Sequence, residues 1–225
     1  MWALGCGGIV PSGCKFVVAD DHPLFRGALK QALAGIEGEN AILEAGDFDS
    51  TKTLIAENDD ADLLLLDLTM PGASGLSGLV ALRGIHSSMP VIVVSAHDDP
   101  ETIRRSLELG ASGFISKSAG MEAIREAVTT VLAGGVYTPE GIELGSEGDP
   151  EISDVIRRLQ SLTPQQTRVL GMLAEGKLNK QIAYELQVSE ATVKAHVSAV
   201  LQKLGVDSRT QAVITLSRIG ADPVS

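Results

Sequence analysis

Two short apolar runs, at 63–66 (LLLL) and 91–94 (VIVV), each end abruptly on a polar residue, Asp67 and Ser95. Runs with no polar alternation suit strands buried on both faces, as in a parallel sheet covered by helices. The rest of residues 14–135 keeps the same rhythm. Residues 15–19 (KFVVA) predict a strand ending at Asp20-Asp21, and Leu24, Ala28, Leu29, Ala32 and Leu33 follow at helical spacing. Residues 41–45 predict a strand, 50–58 a helix with Leu54 and Ile55 inward, and 75–85 a helix after the third strand. Asp99 caps a helix whose first turn holds Pro100 and Glu101. Residues 113–116 give the last strand, ending at Lys117, and 121–133 the last helix. Five strands, each followed by a helix and joined by right-handed crossovers, make an α/β, doubly wound, five-stranded parallel sheet.

In such sheets ligands bind beyond the carboxyl ends of the strands. Asp20, Asp21, Asp67, Ser95 and Lys117 all stand there. Each alone has an ordinary explanation as a helix cap or a solvated loop residue. Five at equivalent positions predict a site. Carboxylates crowded together repel unless a cation lies among them, and the matching ion is a hard divalent one such as Mg²⁺.

The chain has 225 residues, enough for two ordinary domains, and its 44% hydrophobic and 21% charged residues suit a globular protein. A net charge of -11 argues against nucleic-acid binding until it is divided along the chain. Residues 1–137 carry 9 basic and 18 acidic residues, 138–160 carry 2 and 6, and 161–225 carry 7 and 5. Only the tail can approach phosphate backbones. Cys6 and Cys14 lack CxxC or Cys/His metal spacing and are read as reduced thiols. Residues 1–13 make a poor signal peptide and are expected to be a loose extension, Trp2 being incidental. No run approaches the roughly 18 apolar residues of a membrane span, so a cytoplasmic protein with no membrane contact is expected.

Residues 134–153 (GGVYTPEGIELGSEGDPEIS) break both periodicities. The expected division is an extension at 1–13, an α/β domain at 14–135, a linker at 136–160 with a short helix at 152–159, and a small all-α domain at 161–225. In the last, Thr163-Pro164-Gln165-Gln166 forms a capping box, and its helix stops at Gly176. Asn179 caps a short helix to Leu186, Gln187-Val188 turns, and Ser189 caps a longer helix to Leu204. Ser208 caps a fourth helix, with Gln211 completing a second box. A short helix, a turn and a longer helix fit a helix-turn-helix. In the longer helix Val193, Val197, Val200, Leu201 and Leu204 form one stripe, and Lys194, Ser198 and Gln202 lie on another face. Periodicity alone fits a recognition helix and a plain bundle helix equally.

The wording of both halves goes further. DDHPLFR at 20–26, DLTMPGASG at 67–75, VSAHD at 94–98 and GFISK at 113–117 resemble the flavodoxin/CheY-like receiver domains of two-component response regulators. Residues 162–213, with NKQIA followed by SEATVKAHV, resemble the DNA-binding domain of the NarL/FixJ (LuxR-type helix-turn-helix) family. The resemblance implies that Asp67 accepts a phosphoryl group from a sensor histidine kinase. Asp21, Asp67 and the Thr69 carbonyl would ligate Mg²⁺, and Asp20 would act through a metal-bound water. Lys117 and Ser95 would meet the phosphoryl oxygens. Movement of Ser95 would let Phe114 rotate, although a permanently buried phenylalanine fits as well. Lys194, Ala195 and Ser198 would face bases of double-stranded DNA, with Thr192, His196 and Lys203 nearer phosphates. Because Ala195 and Ser198 are small, Lys194 would carry most of the readout. The final helix would supply a homodimer contact matching an inverted repeat. His22 and His97 receive no role. A protein of this kind is a transcriptional regulator, not an enzyme beyond its own phosphotransfer and dephosphorylation. Among rivals, a flavodoxin-like FMN protein lacks the stacking aromatics. An aspartyl-phosphate phosphatase needs a second Asp where Thr69 stands. A receiver working by protein contact alone conflicts with the intact acidic set.

Overall fold

The computed structural model of the chain describes residues 13–36, 40–72, 75–141 and 150–220. The extension expected at 1–13 lies almost wholly outside them.

Strands β1 (Lys15–Ala19), β2 (Ala41–Ala45), β3 (Leu63–Asp67), β4 (Val91–Ser95) and β5 (Gly113–Ser116) form one parallel sheet in the order β2-β1-β3-β4-β5. They alternate with α1 (Pro23–Ala34), α2 (Phe48–Glu57), α3 (Leu76–Ile85), α4 (Pro100–Glu108) and α5 (Met121–Leu132). The continuous apolar runs work because successive side chains of a strand point to opposite faces. Leu63, Leu65, Ile92 and Val94 pack with Leu29 and Leu33 of α1 and Val128 of α5. Leu64, Leu66, Val91 and Val93 pack with Ile55, Leu79 and Ile103 from α2, α3 and α4. Both faces are dry, so neither run tolerates a polar residue.

The helix starts follow the expected capping chemistry, with one exception. Asp99 accepts from the Thr102 amide at 3.0 Å, and Thr163 and Gln166 close a reciprocal box. Ser189 and Ser208 cap as expected, with Gln211 returning a bond to Ser208. Asn179 does not cap: it is the first helical residue, and Gln181 reaches back to the Leu178 amide at 2.7 Å. Ser189→Ala should cost the C-terminal domain about 1 kcal/mol, within the usual 0.5–2 for a lost cap; a denaturant titration of the full chain would measure it.

Two boundaries shift. Tyr137 bridges to Gly113 at the edge of β5, so the α/β unit runs past 135. The short helix expected at 152–159 is α6, which spans Pro150–Gln160 and buries Ile156 and Leu159, so the latter part of the segment joins the helical unit. That unit continues with α7 (Pro164–Ala174), α8 (Asn179–Leu186), α9 (Glu190–Leu204) and α10 (Arg209–Gly220). Cys14 is buried and forms no disulfide; burial, and then the charge of Asp62, push its pKa up, which keeps the thiol protonated and unreactive. Among the described residues no helix is long and apolar enough to cross a membrane.

Candidate phosphoacceptor site and DNA-binding face

The strand order reverses between β1 and β3, which makes their carboxyl ends the crevice of the sheet. Ala19 pairs with Leu66 in register, so Asp20 and Asp67 leave neighbouring strands side by side. Asp67 pairs with Val94, and Ser95 with Ser116, which brings Lys117 to the same edge. Polar residues at the ends of β1, β3, β4 and β5 therefore become a cluster without any special loop geometry.

The Lys117 ammonium lies 2.8 Å from Asp20 Oδ2 and 2.8 Å from Asp67 Oδ2. Those side chains are 1% and 0% exposed, so the charges face one another in a medium that screens little. Burial works against the Lys117 ammonium, but hydrogen bonds and charges from Asp20 and Asp67 outweigh it and raise its pKa above the ordinary lysine value. Lys117 is thus a permanent cation at neutral pH, not a base. Its Nζ also sits 5.2 Å from the centre of the Phe25 ring, a cation–π contact.

Asp20, Asp21, His22 and Asp67 each offer a ligand atom, all within 4.8 Å of one another. Asp20 Oδ2 and Asp21 Oδ1 are buried with no well-directed hydrogen bond, their neighbours being the Lys117 and His22 nitrogens. Buried carboxylate oxygens left this way, with only hard donors around them, fit a small divalent ion. Sequence reasoning set His22 aside. The structure puts its Nδ1 2.6 Å from Asp21 Oδ1 and 3.4 Å from Lys117 Nζ. Only the fold reveals this, since His22 reaches Lys117 across 95 residues.

Thr69 also does more than the sequence suggested. Its amide donates to Asp67 Oδ1 at 3.0 Å, and its hydroxyl lies 2.9 and 3.1 Å from the two carboxylate oxygens. The loop after Asp67 is thereby tied to the carboxylate itself. Ser95 is buried at the end of β4, and its hydroxyl accepts from the His97 amide at 3.1 Å. Phe114 is fully buried on β5, beside Val93.

In the helical unit, Gln187 takes a left-handed conformation (φ 54°) that turns α8 into α9. Val193, Val200 and Leu204 are buried, with Val197 and Leu201 half-buried, as the stripe required. Thr192, Lys194, Ala195 and Ser198 are exposed and His196 is half-exposed. Lys203 departs from the expected set. Its ammonium donates to Ser161 O at 2.6 Å and Gln166 Oε1 at 2.9 Å, locking α9 to the capping box of α7. Lys203 itself lies against α7, so its ammonium is held by an internal carbonyl and an amide oxygen.

Residues 16–129 match the response regulator receiver domain, and residues 160–216 match the bacterial regulatory proteins of the luxR family. The chain is a response regulator with a LuxR-type helix-turn-helix. It is 41% identical to the glycerol metabolism activator of Pseudomonas putida over 91% of this chain and 96% of that protein. It is 35% identical to the nitrate/nitrite response regulator NarP of Escherichia coli, covering 89% and 93%. Among solved structures it resembles RcsB of Salmonella enterica serovar Typhimurium bound to a promoter with a phosphomimetic. That match has 26% identity and a TM-score of 0.52, covering 92% of this response regulator and 98% of that chain.

Proposed function

We propose that Asp67 is the phosphoacceptor and that its phosphorylation controls sequence-specific DNA binding through α9. The observation that carries this reading is the Lys117 ammonium bridging Asp67 and Asp20 at 2.8 Å each, with Asp21 alongside. An Asp67 carboxylate oxygen attacks phosphorus, forming an O–P bond as the N–P bond of a kinase phosphohistidine breaks. The imidazole leaves with the electron pair of that bond. Lys117 is placed to follow an oxygen of the incoming group, and Ser95 can donate to another once its hydroxyl turns from His97. Asp21 and Asp67, with the Thr69 carbonyl, would hold Mg²⁺, and Asp20 would act on its water. When bound, the ion neutralises charge on the carboxylates and the transferring phosphoryl group.

Lys194, Ala195 and Ser198 would enter the major groove, with Thr192 and His196 towards the phosphates. The small side chains beside Lys194 let the helix approach base edges. Lys203 is read as a structural tie. RcsB on promoter DNA and RcsB dimers on DNA support the assignment of a DNA partner and of a dimer, and two-fold symmetry would then match an inverted-repeat site. The reading places the protein in the cytoplasm, where the sensor histidine kinase and promoter are both reachable.

Acetyl phosphate with Mg²⁺ should load one phosphoryl group per chain. Borohydride reduces an aspartyl phosphate to homoserine, and mass spectrometry should find that change at residue 67. Homoserine at any other position, or none in a chain that carries phosphate, would refute the assignment.

A further inference from the structure

Of the four ligand-bearing residues gathered at the acidic edge, His22 alone offers a nitrogen. It occupies the N-cap position of α1, where a side chain ordinarily closes the first turn, yet its own makes no capping bond. The backbone is held on both sides instead. Its amide donates to Asp20 Oδ1 at 2.7 Å, and its carbonyl accepts from the amides of Phe25 and Arg26 at 3.0 Å each. The imidazole is given to the carboxylates: Nδ1 lies 2.6 Å from Asp21 Oδ1 and 3.4 Å from Asp20 Oδ1. The ring stands on the solvent side of the cluster, its side chain 63% exposed where that of Asp20 is 1%.

A histidine–aspartate hydrogen bond accounts for the 2.6 Å contact, but not for the company it keeps. Nδ1 and one oxygen from each of Asp20, Asp21 and Asp67 lie within 4.8 Å of one another. Bonds from nitrogen or carboxylate oxygen to a first-row divalent ion are about 2.0–2.2 Å, so ligands on opposite sides of it stand about 4.2 Å apart. The four atoms therefore need to close by only about half an ångström to share one ion. Asp20 Oδ2 and Asp21 Oδ1 are buried without a well-directed hydrogen bond, so two of the oxygens have little else to satisfy them.

We propose that His22 is itself a ligand to the ion at the acidic edge, and that it tilts the site from Mg²⁺ towards first-row transition metals such as Mn²⁺ and Co²⁺. The idea rests on reading this edge as a divalent-ion site and is independent of whether Asp67 takes the phosphoryl group. Mg²⁺ prefers oxygen and keeps its waters, so an imidazole adds little to its binding. Mn²⁺ and, more strongly, Co²⁺ gain from a nitrogen in the donor set. Lys117 sharpens the difference. Its ammonium, 2.8 Å from Asp20 and Asp67 and 3.4 Å from Nδ1, competes with any ion for the same oxygens. A nitrogen ligand adds affinity there without adding a fourth carboxylate to the crowd.

The test is Mn²⁺ binding by the full, untagged chain, read by electron paramagnetic resonance. The six-line signal of unbound Mn²⁺ falls as the ion binds and returns as Mg²⁺ or Co²⁺ displaces it. Bound Mn²⁺ should show spin-echo modulation from an imidazole nitrogen. That modulation should vanish in His22→Ala and in His22→Gln, which keeps a polar side chain at the turn, and persist in His97→Ala. His22→Ala should lower Co²⁺ affinity by about tenfold or more while changing Mg²⁺ affinity by less than about threefold. Thermal unfolding in chelator should be unchanged, since the side chain caps nothing. The proposal falls if bound Mn²⁺ shows no nitrogen modulation in the wild type, or if the modulation survives in both His22 variants. It also falls if Co²⁺ and Mg²⁺ affinities drop together, which would make His22 only an orienter of Asp21. A wild-type chain that binds neither Mn²⁺ nor Mg²⁺ would refute the ion site itself and this proposal with it.

Discussion

Asp67→Asn is expected to abolish phosphorylation and leave the fold intact, whereas Lys117→Met is expected to damage both. The buried cluster holds two carboxylates, Asp20 and Asp67, against one ammonium at 2.8 Å from each. Asparagine at 67 removes one negative charge and keeps Lys117 paired with Asp20, so unfolding should change by less than about 1 kcal/mol. Methionine at 117 keeps the volume and leaves two buried carboxylates with no cation between them. Breaking a buried pair from one side typically costs about 3–5 kcal/mol. Added Mg²⁺ should return much of that loss in Lys117→Met, because the ion binds the folded state through the same oxygens. Phosphoryl transfer from acetyl phosphate should still fall by about 10²–10³-fold in the refilled variant, the usual cost of one missing donor to a developing charge. Thermal unfolding with and without Mg²⁺ separates the two effects. Undiminished labelling of Asp67→Asn would end the assignment of Asp67.

The acidic edge was legible because strand ends are. β1, β3, β4 and β5 run out of apolar residues at the crevice, so Asp20, Asp67, Ser95 and Lys117 could be placed there by counting. The caps at Asp99, Thr163, Ser189 and Ser208 were legible for a similar reason, since each acts within three residues of itself. Contacts that depend on how separate elements meet were not. His22 looked like a loop histidine, and only the assembly of the sheet brings it to Lys117, 95 residues away. Lys203 fell on a plausible exposed position of α9, but its ammonium is spent on Ser161 and Gln166, which α7 delivers from outside the local pattern. The packing of α3 against α7 left only faint marks in the sequence, Gly84 and Gly171. A glycine inside a helix usually signals weakness, and here it signals a backbone that another helix approaches closely. The expected route from Ser95 to Phe114 is a family pattern, and Phe114 sits fully buried beside Val93 like any core residue.

Lys194→Ala should weaken specific binding of the phosphorylated dimer far more than non-specific binding. Lys194 is the one long cation on the exposed face of α9, flanked by Ala195 and Ser198, which contribute shape but little hydrogen bonding. A good base contact is worth about 1–3 kcal/mol of discrimination, and two-fold symmetry counts the loss twice, so specific affinity should fall by about 30-fold or more. Non-specific affinity depends on phosphate charge, and losing one lysine per half-site should lower its salt slope by only about one unit per contact. A mobility-shift titration at two salt concentrations, with promoter and scrambled duplexes, reads both quantities. Equal losses on the two duplexes would make Lys194 a phosphate contact and move base readout to Thr192 or Ser198. No loss on either would mean that α9 does not enter the groove by this face. Lys203→Ala is the matched control: its ammonium is tied inside the domain, so it should lower stability before it alters the ratio of specific to non-specific binding.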